Sequence, residues 1–223
     1  MLANLLYHMY PQQLFAKAII KVLNSGLIEG IENRTLIDAP CGTGVISFWL
    51  KNNNKSVNIL ALDISRNKLA FAKKFTNGIN IKKANIFDLS LSNDDNVWLL
   101  INSLYCLPDK EKLIQKMRPQ MDYIIAIFPD IKHDNYRNFF INYPDFENAS
   151  AMTKDETLSF FANHDYQLLE QQGLGFLPVH RFTIPFFNIS FRVPRPCLWL
   201  MGDLDQFFNY RSTGYWLAVF KRK

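Results

Sequence analysis

Beyond Pro11, apolar residues recur at Leu14, Phe15, Ala18, Ile19, Val22 and Leu23. This spacing keeps one helix face apolar, with Pro11 near the first turn and Gly26 just past the end. From residue 35 the pattern changes to short, nearly continuous apolar runs separated by amphipathic stretches. The runs predict strands over 36–39, 57–63, 79–84, 97–102 and 123–128. The stretches between them predict helices over 45–51, 66–75 and 110–117, the second opened by Ser65 as its cap. Strands that are apolar along their whole length belong in a parallel sheet covered on both faces. Right-handed crossovers then make the fold doubly wound.

The last third departs from that rhythm. Residues 129–152 carry five aromatics and two prolines with little periodicity, which predicts an elaborated loop. A helix over 153–163 opens with Thr153 and Glu156 in capping-box spacing. A strand over 166–177 is interrupted by Gly173 and Gly175. A long connection ends in a helix over 197–208, and Gly214 introduces a last strand over 215–220.

Size and composition change this picture only modestly. The 223 residues suit one α/β domain with additions, and 48% hydrophobic residues suffice for its core. A net charge of +5 permits an acidic partner such as RNA, an acyl carrier protein or a membrane surface, without demanding one. Cys41, Cys106 and Cys197 are odd in number, far apart and in no ligand spacing, which argues for a reducing compartment and against a disulfide or zinc framework. No basic region followed by an apolar core opens the chain, and its apolar runs are too short to span a bilayer. The expectation is a soluble cytoplasmic protein.

The chemistry concentrates in residues 35–44, Thr-Leu-Ile-Asp-Ala-Pro-Cys-Gly-Thr-Gly. An apolar strand runs into Asp38, a turn carries Gly42 and Gly44, and a helix begins at Val45. Glycine in such a turn lets backbone approach a ligand, and the helix start adds unpaired N–H groups. Asp63 ends the next strand, 19 residues after Gly44. An acid there accepts hydrogen bonds from ribose hydroxyls. Asp88 follows the third strand, where it would accept from an adenine amino group, and Ile64 and Phe87 would sandwich a flat base. Taken singly, either acid reads more commonly as a cap or a solvated loop residue. The competing ligand is a nicotinamide dinucleotide. Against it, Ser47 stands where the pyrophosphate fingerprint wants a third Gly or Ala, no Tyr-x-x-x-Lys pair occurs, and Asp38 would repel a pyrophosphate. A phosphate-binding loop is excluded because no Gly-x-x-x-x-Gly-Lys occurs.

This constellation resembles the class I S-adenosylmethionine-dependent methyltransferases. Asp38-Ala-Pro-Cys-Gly-Thr-Gly44 is close to the family's glycine motif, and Ala-Leu-Asp-Ile-Ser at 61–65 matches the second motif. Ala-Asn-Ile-Phe-Asp-Leu at 84–89 and Leu-Leu-Ile-Asn-Ser-Leu-Tyr-Cys-Leu-Pro-Asp at 99–109 resemble the third and fourth, the latter in its small-molecule version. The resemblance implies a mostly parallel seven-stranded sheet with an antiparallel last strand. An N-terminal helical cap over 1–34, a cofactor-binding core over 35–128 and substrate-side segments over 129–152 and 178–212 would complete a single domain.

By position, the resemblance puts Asp38 near the methionine amino group and lets backbone around Ala39, Pro40, Gly42 and Gly44 contact the cofactor. Asp63 and Ile64 would meet the ribose and base, Phe87 and Asp88 the adenine, and the Asn102 carbonyl the methionine end. Tyr7 or Tyr10 would close over the cofactor, or simply pack. The product would be S-adenosylhomocysteine.

The acceptor is less explicit. Residue 102 begins Asn-Ser-Leu-Tyr, not the Asn-Pro-Pro-aromatic tetrad of amino-group methylation, and Asn102 is not the acid a metal-assisted enzyme would want, so no metal is expected. Cys106 lacks the preceding Pro of cytosine-5 methylation and reads as a buried structural thiol. His133, with Asp130 or Asp134 to orient it, is the candidate general base or else a surface histidine. Tyr105 is the second catalytic candidate. His164 reads as structural, while His8, His180 and Arg181 have no settled reading. The connection over 178–212 combines eight aromatics with Arg181, Arg192 and Arg195, as a lid over a flat or greasy acceptor would. The expectation is O-methylation of a small hydrophobic or aromatic metabolite, free or on a carrier protein. An RNA or protein methyltransferase and a non-catalytic nucleoside binder are the alternatives. No RNA-binding module or strong basic cluster is present.

Overall fold

The computed structural model describes residues 2–74, 76–91, 96–132, 152–174, 182–184, 189–191 and 214–223. Side chains are described from residue 12 onward, except in the two short segments 182–184 and 189–191.

Helix α1 spans Leu2–Asn24 and is followed by Gly26 at φ 77°. Pro11 therefore lies inside this helix and not at its start, because the Leu-rich segment before it continues the helix. The core then alternates β1 (Thr35–Asp38), α2 (Val45–Asn53), β2 (Asn58–Asp63), α3 (Arg66–Ala72), β3 (Asn80–Lys83), β4 (Asn96–Ile101), α4 (Lys110–Met117) and β5 (Tyr123–Pro129). Ser65 does cap α3, its hydroxyl accepting from the Lys68 N–H, but the helix ends at Ala72, three residues short of expectation. The expected capping box opens α5 (Lys154–Asn163): Glu156 Oε2 accepts from the Thr153 N–H at 2.8 Å and Thr153 Oγ1 from the Glu156 N–H at 3.2 Å. Two long strands follow, β6 (Tyr166–Leu174) and β9 (Tyr215–Arg222). Between them in sequence, β7 (Phe182–Ile184) and β8 (Ile189–Phe191) pair as a separate antiparallel ribbon.

The main sheet has seven strands in the order β3-β2-β1-β4-β5-β9-β6. The first five are mutually parallel, and β9 inserts antiparallel between β5 and β6. Pairing with β9 runs unbroken through Gly173, and the irregularity falls between Leu168 and Glu170 instead. The glycine therefore weakens nothing that the long β9 partner does not hold in place.

Both faces of the sheet are covered, as the apolar strands require. On one face Leu36, Val97, Leu99, Ile125, Ile127, Leu217 and Val219 pack with Phe15, Ile19 and Val22 of α1 and Ile46 and Leu50 of α2. On the other face Ile37, Trp98, Leu100, Ile124, Ala126, Ala218 and Phe220 pack with Leu113, Ile114 and Met117 of α4 and Phe161 of α5. Adjacent residues of one strand thus feed opposite cores, which is the period-2 geometry of a strand with no wet side. This pins the register, because a one-residue slip would exchange the two cores. Among the described residues no helix is long and apolar enough to cross a membrane.

Candidate functional site

β1 lies between β2 and β4, and the connections from β1 and β4 leave the sheet in opposite directions along its order. A crevice opens at the carboxyl ends of strands where such a reversal occurs. There Asp38 ends β1, Asp63 ends β2, and Asn102 follows β4. A cavity of about 250 Å³ sits on these three ends. Asp38, Pro40, Cys41, Gly42, Thr43, Asp63, Asn102, Ser103 and Cys106 line it, with Gln12 and Phe15 of α1 and Lys68 of α3. A larger recess of about 390 Å³ lies at the opposite edge, beneath the strand starts Thr35, Asn58, Asn80 and Asn96. The ionisable group lining that recess is Lys51, whose ammonium already donates to the Lys55 and Val57 carbonyls, so convergent chemistry sits in the smaller cavity.

The glycine turn is fastened to both neighbours. Cys41 N–H donates to the Leu62 carbonyl at 2.8 Å, and Gly42 N–H donates to Asp63 Oδ2 at 2.8 Å. The other oxygen of Asp63 accepts from the Ser65 N–H at 2.8 Å, which fixes the carboxylate at the cavity wall. Each carboxylate oxygen has a second lone-pair direction free for a ligand hydroxyl. Gly42 and Gly44 both have positive φ, 57° and 72°. A Cβ on Gly42 would meet open space, whereas one on Gly44 would stand 3.0 Å from the Ala72 Cβ. Gly42 thus leaves room for a ligand, and Gly44 lets α3 pack against the turn.

Asp38 is 2% exposed, and its Oδ2 accepts from the Ser47 hydroxyl at 2.6 Å. Burial raises its pKa to about 6, with the Ser47 hydrogen bond opposing and the Asp63 charge adding to the rise. A buried acid poised in this way welcomes a cationic ligand group, which would restore its ionised form. Cys41 lies behind the turn against Ala61 and Leu69, and burial pushes its thiol well above the ordinary range.

Asn102 turns the chain at φ 50°, a left-handed conformation that Asn tolerates better than most residues, and its N–H donates to the Ile127 carbonyl at 2.6 Å. Asn102 Oδ1 and Ser103 Oγ are buried without a hydrogen-bond partner among the described residues. Both residues line the cavity, and since a buried unsatisfied group costs about 1–3 kcal/mol, a polar partner supplied there would be stabilising. Ser47, which the sequence marks only as a departure from the pyrophosphate fingerprint, and Ser103 join the site without a sequence-based role. A small polar residue directly after a buried apolar strand was the available signal for Ser103.

Of the expected cofactor residues, Asp38, Pro40, Gly42, Asp63 and Asn102 line this one cavity. Ala39 is buried in the core beside Ile37 and Leu62, and Gly44 caps α2. Ile64 is 64% exposed beside Asp63, and Phe87 and Asp88 lie on a short turn after β3, outside the cavity lining. Tyr10 falls on α1, in the stretch whose side chains are not described. Tyr105 is buried among Leu104, Phe128, Pro129, Met152 and Thr157 and shares a side-chain hydrogen bond with Cys106. Burial drives its pKa upward, so its phenol stays neutral. Cys106 is a correction: it is exposed and lines the cavity, at the end of the short turn Leu104–Cys106 whose other two residues take the buried positions. His133, with Asp134, lies outside the described residues. His164 closes α5, its Nδ1 2.7 Å from the Phe160 carbonyl, and is structural. No cluster of His, Cys, Asp and Glu suited to a metal occurs among the described residues.

The family described as "Methyltransferase domain" matches residues 32–162. Protein 235L of Invertebrate iridescent virus 6, provisionally named a methyltransferase, is 24% identical over 129 residues, 50% of this chain and 48% of that protein. The match thus spans about half the length of the curated relative. Among solved structures, the complex of the Haloferax volcanii Trm112 methyltransferase activator with its methyltransferase partner aligns with a TM-score of 0.66 and 14% identity over 87% of this chain and 85% of that one. A SAM-dependent methyltransferase from Archaeoglobus fulgidus aligns with a TM-score of 0.63 and 14% identity over 95% and 94%. At such identities the structures attest the fold.

Proposed function

The chain belongs to the methyltransferase-domain family, with the class I S-adenosylmethionine-dependent fold, and on that premise we propose that it transfers a methyl group from S-adenosylmethionine to an acceptor at the carboxyl edge of the sheet. The single observation that carries this reading is the convergence of Asp38, Asp63 and the unpartnered Asn102 and Ser103 atoms on one cavity. A turn built for a pyrophosphate would not set the buried acid Asp38 beside it.

Asp38 holds the ligand's ammonium, and its own proton is the one given up on binding. Asp63 accepts from the ribose hydroxyls while anchoring Gly42 and Ser65. Gly42 keeps the wall free of a Cβ. Ser103 and Asn102 supply the polar partners at the β4 side. Bound there, the cofactor supplies a methyl group on a sulfonium, whose departure leaves the neutral thioether of S-adenosylhomocysteine. The chain's share is therefore orientation and exclusion of water, with a base needed only for an acceptor that holds a proton at neutral pH. Tyr105 is the candidate to hydrogen-bond the acceptor, and His133 is the candidate base.

For the acceptor, an RNA or protein goes ahead of a small hydrophobic or aromatic metabolite methylated at oxygen. An acidic acceptor such as RNA suits the net charge of +5. The aromatic and arginine content of 178–212 suits stacked bases as well as a flat metabolite. The test is transfer of labelled methyl from S-adenosylmethionine to total RNA, to protein extract and to a panel of small phenols. Label in RNA or protein supports this order, and label in the phenols alone restores the metabolite. Cofactor binding with no transfer to any fraction identifies a non-catalytic nucleoside binder. No binding of S-adenosylmethionine by calorimetry sinks the whole reading.

A further inference from the structure

The cavity wall carries two carboxylates, Asp38 and Asp63, and among its described lining residues one cation, Lys68. Lys68 stands in the first turn of α3, and its ammonium makes no ion pair among the described residues. Its charge nevertheless acts on Cys41, which follows β1, and on Cys106, which follows β4. Lys68 thus shares one cavity wall with Cys41 of the glycine turn and Cys106 of the β4 side.

The cofactor reading gives Asp38 to an ammonium and Asp63 to sugar hydroxyls. A zwitterionic amino-acid group also brings a carboxylate, and two acids in the wall repel it. We propose that Lys68 recognises this carboxylate, completing with Asp38 a charge-complementary clamp on the amino-acid end of S-adenosylmethionine. The inference rests on the cofactor reading and deepens it. Lysine suits the task as a point charge on a flexible stem that reaches a carboxylate without bidentate geometry. Its exposure makes the contact sensitive to salt.

Calorimetry on the full chain tests this at low ionic strength, with Lys68→Met beside the parent protein. The probes are S-adenosylhomocysteine and 5′-methylthioadenosine, which keeps the nucleoside and sulfur but lacks the amino acid. The variant should bind S-adenosylhomocysteine about tenfold or more weakly, the scale of a charge-assisted hydrogen bond, and lose much of the parent's salt dependence. It should bind 5′-methylthioadenosine as the parent does, which also shows that it is folded. Unchanged affinity for S-adenosylhomocysteine overturns the assignment, as does an equal loss for both probes. Failure of the parent to bind either probe overturns the cofactor reading itself, so the two failures are told apart.

Discussion

The Ser47 hydroxyl donates to Asp38 Oδ2 at 2.6 Å across the glycine turn, tying the first helix of the core to the buried acid that ends β1. Both residues are out of solvent, so this bond lowers the cost of a carboxylate that burial works against. Asp38 ordinarily titrates near 3.8 and in the fold at about 6. Between those values the folded chain keeps a proton that the unfolded chain has lost. The stability linked to Asp38 is therefore full below about pH 4, falls as pH rises through 6, and is level above. Asp38→Asn removes this dependence. In urea unfolding the ligand-free variant should exceed the parent by up to about 3 kcal/mol at pH 8 and converge with it near pH 4. Parallel stability curves from pH 4 to 8 would show that Asp38 titrates normally.

Binding should follow the opposite trend. An ammonium ligand needs Asp38 ionised, so affinity for S-adenosylmethionine should fall below pH 6, by up to about tenfold per unit. The ligand's α-amino group loses its proton near pH 8, so affinity should fall again above that. Calorimetry across pH 5–9 should trace a bell, and Asp38→Asn should be weak at every pH. Ser47→Ala should move the acid limb upward, because it strips the one side-chain donor from the carboxylate.

The two glycines of the turn should fail differently. Gly44→Ala adds a Cβ 3.0 Å from the Ala72 Cβ at a φ of 72°, so α3 must move. It should destabilise the chain by about 2 kcal/mol or more. Gly42→Ala meets open space, and its backbone strain alone should cost about 1 kcal/mol. Yet Gly42 faces the cavity, so its variant should lose more cofactor affinity than stability. Thermal melts beside cofactor titrations of both variants decide this, and matched losses in the two assays would contradict it.

Cys106 offers a direct probe of occupancy. It is exposed on the cavity wall, while Cys41, which lines the same cavity, is buried. Burial of part of its surroundings raises its thiol, so alkylation by iodoacetamide should be slow at pH 7 and speed up with pH. In a Cys197→Ser background, saturating S-adenosylhomocysteine should slow labelling of Cys106 severalfold. Peptide mapping that finds Cys41 labelled first, or no protection at Cys106, would contradict the cavity described.

How much of this was legible in the sequence depended on range. α4 at Lys110–Met117 and the Thr153–Glu156 box are written in neighbours three and four residues apart, and both were readable with their boundaries. Asp38 and Asp63 were readable as strand-ending acids, because a polar residue after an apolar run is a local signal. The pairing of Ser47 with Asp38 spans nine residues and exists only once the turn has folded back. The outward position of Cys106 is set within the single short turn Leu104–Cys106, too brief for a hydrophobic pattern to encode. The place of β9 between β5 and β6 is a choice among tertiary partners and leaves no mark within β9 itself.

Asp63 carries the last prediction, because structure and binding meet in one side chain. Its two oxygens accept from the Gly42 and Ser65 N–H groups, each at 2.8 Å, and so join the glycine turn to the start of α3. Asp63→Ala leaves both donors short of a partner in a half-buried setting, which should cost about 2–4 kcal/mol of stability. Asp63→Asn keeps an acceptor for one donor but sets its own NH₂ against the other, so it should cost about 1–2 kcal/mol. Loss of binding should not follow that order. If ribose hydroxyls are the ligand groups, both variants should lose S-adenosylhomocysteine affinity by at least about tenfold, because the charged acceptor is gone from each. The losses should be equal for 5′-methylthioadenosine, which shares the ribose. Chemical denaturation and calorimetry on the same preparations give both quantities. A variant Asp63→Asn that binds both nucleosides as the parent does would reduce Asp63 to a brace for the turn.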